Sequence, residues 1–594
     1  MEMLNKYKEC VSKSVMATWY IFGLLVLVLF AKNVLFNWLC FSSEEDYFMS
    51  LLMALPQKIV PALLIASFVF VTKRPIWTIV ANLLVDIWII ANLFYFKANG
   101  YFLAYEVMTM VGNMDGFWDS LWSYMGWDIA IFPILTLIYA LLIPYNYDAP
   151  KKYKCFVLLI VSALVINIGD QALHKAHKAV QARKTSSGTM AFSWSECMPF
   201  SHVYTYADAE WVDYNYWAKQ YIQKFSIVSY FPACLMYRCI SPMEKLENIT
   251  IDASRIKPFL NGRKENITPR TNIVFILFES LESWPLDPVV GVNFMPNLNT
   301  IMRDEHALCC RNMHSQTVNG NSGDGQLIDM TGLLPITDGV VCNSYYRNAY
   351  PSIAQCYDHS AIINPSPGVW NQEQMTKAYH FEELIEPHKK EKWQDADVAN
   401  RVIQYMDTAS QPFCLLGITI SSHLPFAYGS EHPQHIIDGM PRQLNAYLNC
   451  LAYADSCIGA IYHHIMKSPE LANSTTLVIS GDHTIFRSYN KEFDHYAAKV
   501  QLDFRTTKTH VPLIVYSPSI ESNIQISDTC YQIDIYPTMM GVVGCKDYYW
   551  KGFGVDLTQP EASNNRQLSE EEAYQLSSQL IKSNYFSLRI PVDE

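Results

Sequence analysis

Thr475-Thr476-Leu477-Val478-Ile479-Ser480-Gly481-Asp482-His483 reads as a buried strand that stops on a carboxylate and an imidazole. β-Branched and aliphatic residues favour the strand, and the glycine ends it. Open α/β sheets bind ligands outside the carboxyl ends of their strands, so Asp482 and His483 stand where a site would be built. An Asp-His pair suits Zn2+ or Mn2+ better than Ca2+, because imidazole is a borderline ligand and carboxylate a hard one. A hydrogen-bonded loop would use the same two residues, so the choice rests on other segments.

Three segments bear on it. Asn272-Ile273-Val274-Phe275-Ile276-Leu277-Phe278-Glu279-Ser280 is an unbroken apolar run, as expected of a parallel strand covered on both faces, and it projects Glu279 from its carboxyl end. Gly320-Asn321-Ser322-Gly323-Asp324-Gly325 is a glycine-rich turn leading into the helix-compatible Gln326-Leu327-Ile328-Asp329-Met330. A hydroxyl there lies near free helix N–H groups that favour phosphate, which makes Ser322 a candidate nucleophile; an N-cap serine is the alternative. In Ile420-Ser421-Ser422-His423-Leu424-Pro425-Phe426 a histidine again follows an apolar run, Phe413 to Ile420.

Taken in order, strand-Glu, Gly-x-Ser-x-Asp, strand-x-His-x-Pro-Phe and Gly-Asp-His resemble the lipoteichoic acid synthase branch of the sulfatase and alkaline-phosphatase superfamily. The resemblance covers roughly 271–548 and the membrane region before it. It implies a multi-pass α-helical membrane domain followed by an α/β sulfatase-like extracytoplasmic domain, in the cytoplasmic membrane of a bacterium. It also implies one divalent cation, typically Mn2+ with Zn2+ or Mg2+ as alternatives, held by Glu279, Ser322, Asp482 and His483. Ser322 stands where relatives usually carry a threonine nucleophile. His423 would serve as general acid and base, and Trp370 would wall a head-group pocket. The donor implied is a membrane phospholipid, and the acceptor an envelope glycan or lipid.

Two departures bear on the head group. Phosphoglycerol-handling relatives carry Trp-Asn-Arg, and here the segment is Trp370-Asn371-Gln372. A neutral amide binds phosphate more weakly than the guanidinium fork. The His and Asp that precede that tryptophan are replaced by Ile363-Asn364-Pro365-Ser366-Pro367-Gly368-Val369. Phosphoglycerol and phosphoethanolamine are therefore both candidates. Thr509-His510-Val511-Pro512 resembles another superfamily strand, with His510 a substrate contact, a further ligand or a structural residue. Gln532-Ile533-Asp534 reads as structural.

The first 170 of 594 residues are nearly continuous apolar sequence, and the remainder is ordinary globular material. Candidate spans are 15–31, 50–72, 76–96, 127–145 and 155–169, each near the ~20 residues that cross ~30 Å of hydrocarbon. The organisation expected is a transmembrane domain at 1–170, a connecting region at 171–270, a catalytic domain at 271–548 and a tail at 549–594. Lys6, Lys8 and Lys13, then Lys73 and Arg74, then Lys151, Lys152 and Lys154 fall on alternate connections, with Glu44, Glu45 and Asp46 opposite. That pattern places the N-terminus inside and residues after about 170 outside. Asp86 lies mid-span and is expected to bond Asn82 or Asn92, with a functional role as the alternative. The loop at 97–126, with Phe117, Trp118, Trp122 and then Trp127, suits the outer interface. The basic run 174–184 suits either a lipid surface or a solvated helix.

Twelve of the 15 cysteines follow residue 170, an even number that permits disulfides outside the cell. Cys197-Met198-Pro199-Phe200-Ser201 lacks the arginine of a formylglycine-type sulfatase signature, which argues against sulfate-ester hydrolysis. A net charge of −12 argues against nucleic acid as a substrate. Two other readings stay open: a membrane-tethered phosphodiesterase or phosphatase using the same residues, and a non-catalytic binding protein.

Overall fold

The structure, a computed structural model, describes residues 17–42, 47–72, 74–99, 102–103, 126–144, 152–184, 214–240, 251–262, 267–337, 339–367, 369–388, 391–485, 491–502, 510–559 and 562–587. They form two compact units, one holding the described residues up to 240 and one those from 251.

The first unit is helical: α1 (Ala17–Phe41), α2 (Tyr47–Ser67), α3 (Ile76–Asn99), α4 (Trp127–Leu142), α5 (Tyr153–Lys184), α6 (Tyr214–Lys224) and α7 (Ile227–Ile240). Four segments, in α1, α2, α3 and α5, are long and apolar enough to cross a membrane. The fifth expected span, at 127–145, is the shorter α4 of 16 residues. A 2.5 Å ion pair between Lys97 and Asp128 and a 2.7 Å bond from the Tyr139 hydroxyl to Thr78 Oγ1 tie it to both ends of α3, which it accompanies antiparallel. The basic run 174–184 continues α5 rather than forming an element of its own. The loop residues Phe117, Trp118 and Trp122 and the acidic residues 44–46 lie outside the described residues, whereas Trp127 is exposed.

Asp86 does not bond Asn82 or Asn92 as expected. Its carboxylate takes the Lys32 ammonium at 2.5 Å and the Thr136 hydroxyl, and Lys32 also donates to Asn82 Oδ1 at 2.6 Å. All four side chains are buried. A charge in hydrocarbon needs such a partner, and this one comes from α1. Helical periodicity shows which residues share a face of one helix, not which two faces meet.

The second unit is built on a nine-stranded sheet: β1 (Asn272–Phe278), β2 (Ala307–His314), β3 (His359–Ile363), β4 (Glu383–Ile385), β5 (Phe413–Ile418), β6 (Thr475–Gly481), β7 (His510–Tyr516), β8 (Ile524–Ile526) and β9 (Cys530–Tyr531). The order is β4-β3-β5-β1-β6-β7-β2-β8, with β9 on β2. β4, β3, β5, β1 and β6 run parallel, and β7 lies antiparallel between β6 and β2. Every residue of β1, β5, β6 and β7 is buried, which is why these strands are uninterrupted apolar runs. Helices α8 (Ser322–Thr331), α9 (Asp395–Thr408), α10 (Arg442–Lys467) and α11 (Glu570–Lys582) also belong to this unit. Tyr447, Leu448 and Leu451 of α10 and Val398 and Val402 of α9 pack into the core beside the strands.

Residues beyond 549 pack on the same unit. Trp550 Nε1 donates to Thr331 O at 2.7 Å, Ser577 Oγ accepts from Leu334 N at 2.9 Å, and Arg566 pairs with buried Asp534 at 2.8 Å. The nine cysteines of the second unit, from Cys309 to Cys545, are all free and buried, so the disulfides expected outside the cell do not form among them. They pack as small apolar side chains instead.

Candidate active site

β1 and β6 are neighbours in register, Phe278 opposite Gly481, so the residues that follow, Glu279 and Asp482, leave the sheet side by side. Ser322, first residue of α8, brings its hydroxyl to 3.2 Å from Glu279 Oε2 and 3.2 Å from His483 Nε2. His483 Nε2 lies 3.4 Å from Glu279 Oε1 and 3.5 Å from Asp482 Oδ2. One ligand atom each from Glu279, Asp482 and His483 falls within 4.8 Å of the others. His483 Nδ1 lies 3.1 Å from the Thr484 carbonyl, which can only accept. That bond keeps a proton on Nδ1 whether the ring is charged or neutral, so the neutral ring presents its Nε2 lone pair to the cluster, the tautomer a metal ligand needs.

Ser280 links the two carboxylates. Its N–H donates to Asp482 Oδ1 at 2.7 Å and its hydroxyl to Glu279 Oε1 at 2.6 Å, while its carbonyl accepts from the Tyr447 hydroxyl at 2.7 Å. To do this the backbone takes φ 56°, in the left-handed region that non-glycine residues seldom adopt. Glu279 is also held by its own N–H, which donates to Thr419 Oγ1 at 2.9 Å. Asp482 Oδ2 is fully buried with no hydrogen-bond partner.

The two carboxylates are pushed apart. Burial opposes ionisation of Glu279, but hydrogen bonding and charge from His483, with His423 and Ser280, outweigh it and hold Glu279 below the usual range. Burial and the Glu279 charge push Asp482 up. An unpartnered carboxylate oxygen, a lone-pair nitrogen and a second carboxylate converging in a buried space are the donor set of a divalent cation, so the residues present fit one.

The nucleophile turn is fixed from within. Asp324 Oδ2 accepts from Val318 N and Gly320 N, both at 2.8 Å, pinning the turn that leads to Ser322. The N-cap of α8 is Asn321, at φ 41°, so Ser322 is not the cap and its hydroxyl turns to the carboxylates. Gly325 is required by close approach: a Cβ there would meet Asp482 O at 2.6 Å.

Two known families match the two parts of the chain. The sulfatase family model matches residues 271–545, and the lipoteichoic acid synthase N-terminal domain model matches residues 2–184. Both parts of the chain thus resemble the lipoteichoic acid synthases. Lipoteichoic acid synthase-like YvgJ of Bacillus subtilis is 23% identical over 573 residues, covering 90% of this chain and 86% of its own. Lipoteichoic acid synthase 1 of the same organism is 22% identical over 510 residues, covering 82% and 76%. Among solved structures, the lipoteichoic acid synthase LtaP of Listeria monocytogenes aligns with TM-score 0.44 and 16% identity over 59% of this chain and 99% of that one. This lipoteichoic acid synthase-like chain is a multi-pass membrane protein with its sulfatase domain outside the cytoplasm.

Where this member departs from its relatives, the structure gives the reasons. Trp370, at φ 58°, packs on the nucleophile turn: a Cβ on Gly323 would come within 3.3 Å of its ring. Gln372 does not line an open pocket. It is 1% exposed, and its Oε1 accepts from Gln326 Nε2 and Asn364 Nδ2, each at 2.9 Å. Its Nε2 is buried without a partner. The Trp-Asn-Gln segment is thus drawn into a neutral amide cluster.

His423 Nδ1 lies 2.7 Å from Leu424 O, which leaves Nε2 as the basic nitrogen, and the ring is near enough for its charge to lower Glu279. His510 faces His314, with the two Nε2 atoms 3.2 Å apart, and burial and that neighbour hold it below the ordinary imidazole range. Gln532 Nε2 donates to Asp482 O at 2.9 Å, in keeping with a structural role. Sequence reasoning missed Ser280, Asp395 and Tyr447, and had Asp324 only as a position in the Gly-x-Ser-x-Asp pattern. Asp395 Oδ1 accepts from Ile420 N at 2.7 Å and Ser421 N at 3.1 Å, fixing the loop that carries His423.

Proposed function

We propose that this phosphotransferase moves a phospho-head-group from a membrane phospholipid to an envelope glycan or lipid through a phosphoserine-type intermediate on Ser322. The observation that carries the reading is the Ser322 hydroxyl set 3.2 Å from both Glu279 and His483, inside a cation-ligand set. Glu279, Asp482, His483 and Ser322 would hold a divalent cation, Mn2+ with Zn2+ or Mg2+ as alternatives, which neutralises phosphoryl oxygens and lowers the pKa of a neighbouring hydroxyl. Ser322 Oγ, whose proton would pass to solvent as the cation binds, attacks the phosphodiester phosphorus, and the bond to the diacylglycerol oxygen breaks; in the second step it leaves again as the alkoxide. His423 gives that oxygen its proton. In the second step an acceptor hydroxyl gives its proton to His423 Nε2 and attacks phosphorus, and the Ser322–phosphorus bond breaks. Trp370 walls the head-group side beside Gly323. His510 is proposed to contact substrate, and Gln372 to shape the pocket from beneath through Gln326 and Asn364.

The head group is phosphoglycerol or phosphoethanolamine. Intact-protein mass spectrometry after incubation with mixed phospholipids should show one added head-group phosphate, mapped to Ser322 and absent in Ser322→Ala. Its mass identifies the head group. Steady phospholipid turnover by Ser322→Ala, with no adduct on the wild-type protein, would make a bound water the nucleophile and the chain a hydrolase.

A further inference from the structure

α6 and α7 meet in a helical hairpin inside the membrane unit, following α5 in sequence, with the Tyr221 ring 6.2 Å from that of Tyr230 and the Tyr221 hydroxyl 3.3 Å from Ser229 Oγ across the turn. Their 11 and 14 residues correspond to about 16 and 21 Å, so neither crosses ~30 Å of hydrocarbon. The turn between them, Phe225-Ser226, is buried, with Ser226 1% exposed, and Ile222 and Ile227 beside it are buried too.

The turn's polar groups are satisfied by side chains of the spanning helices. Lys58 of α2 directs its ammonium to the carbonyls of Ile222, Gln223 and Phe225 at 3.2, 3.1 and 3.2 Å. A cation there also meets the negative end of the α6 dipole. Trp88 Nε1 of α3 donates to Ile227 O at 2.7 Å, and Ser226 Oγ donates to Asn33 Oδ1 of α1 at 2.6 Å. On a wet surface water would serve these carbonyls. In a bilayer, non-helical backbone is tolerated only where protein satisfies it. The donors also set the depth: Lys58 lies eleven residues into α2 from Tyr47, about 16 Å along the helix. Lys224 beside the turn is exposed, which keeps the turn within snorkelling reach of the head groups.

We propose that Tyr214–Ile240 is a re-entrant hairpin that enters the outer leaflet and returns, with lipid acyl chains as the partner of its outer face. That face carries exposed Phe231 and Pro232, and Phe231 packs edge-on against Trp88 at 5.2 Å. Trp88 adjoins exposed Ile87 and Leu84 of α3, so the hairpin continues the lipid-facing surface of a spanning helix. The last membrane contact before the catalytic domain in sequence is then this hairpin, not α5. The inference does not depend on the reaction proposed above.

The test uses the full-length protein in phospholipid nanodiscs, where both faces are open to reagent. Phe231→Cys is treated with a charged, membrane-impermeant maleimide and read by peptide-resolved mass spectrometry, so that native cysteines do not interfere. Leu84→Cys and Glu521→Cys serve as lipid-facing and water-facing references. Phe231→Cys should react at least tenfold more slowly than Glu521→Cys, like Leu84→Cys, and become reactive in detergent. Reaction at the Glu521→Cys rate in nanodiscs would overturn the proposal. Wild-type protein with carbene-generating acyl-chain lipids gives a reading without substitution. Insertion into the 225–236 peptide supports the hairpin, and insertion into α3 without it overturns the proposal.

Discussion

At Ser280 a single residue sets the spacing of two carboxylates. Its N–H and hydroxyl each hold one of them, and φ 56° is maintained by the Tyr447 bond to its carbonyl. Strain and hydrogen bonding separate by substitution. If Ser280 mattered only for backbone shape, Ser280→Gly would be harmless, since glycine accepts positive φ freely. If the hydroxyl orients Glu279, Ser280→Gly and Ser280→Ala should both weaken cation binding, by about 10–100-fold as is usual for partners of metal ligands. Calorimetric titration of the cation-free protein distinguishes the two, and undiminished affinity in both variants would remove Ser280 from the site. Glu279, Asp482 and His483 were legible because each follows an apolar run that ends abruptly. Ser280 was not: its role depends on Tyr447, 167 positions away. Gln372 was legible as a departure from its relatives but not as a buried residue, because burial depends on Gln326 and Asn364 folding over it.

Among elements, the loop from β5 to His423 depends on the first residue of α9. Asp395 is fully buried, and burial pushes its carboxyl up to about 6 against the partial relief of the Ile420 and Ser421 N–H groups. A raised folded-state pKa means that the folded chain holds a proton which the unfolded chain releases first. The stability from this group is therefore complete below the unfolded pKa and lost as pH rises through about 6. The loss amounts to about 3 kcal/mol at most, from ~1.4 kcal/mol per pKa unit. Asp395→Asn keeps an acceptor for the two N–H groups and removes the titration. Its melting temperature relative to wild type should rise between pH 4 and pH 6.5, and a constant difference across that range would mean that Asp395 does not titrate there. The strands were readable because β1, β5, β6 and β7 are each covered on both faces. The α6–α7 hairpin was not, because its polar residues and Pro232 disguise an element whose carbonyls are served by α1, α2 and α3.

For the whole molecule, orientation decides whether the sulfatase domain can reach outer-leaflet lipid. The alternation of basic connections was readable because it needs only loop composition, which no packing alters. The count of crossings was harder, since α4 is only 16 residues long and is recognised as a crossing by its bonds to both ends of α3. Counted over the described helices, four long spans and the shorter α4, five crossings from a cytoplasmic N-terminus bring the chain outside after α5, and a re-entrant hairpin leaves that side unchanged because it enters and returns. A reporter active only outside the cytoplasm should therefore work when fused after residue 190 and equally when fused after residue 245, and stay silent when fused at 148. Activity at 148 would reverse the orientation. Activity at 190 but silence at 245 would mean that 214–240 crosses the bilayer instead of turning back, which would strand the sulfatase domain on the wrong side of its lipid donor.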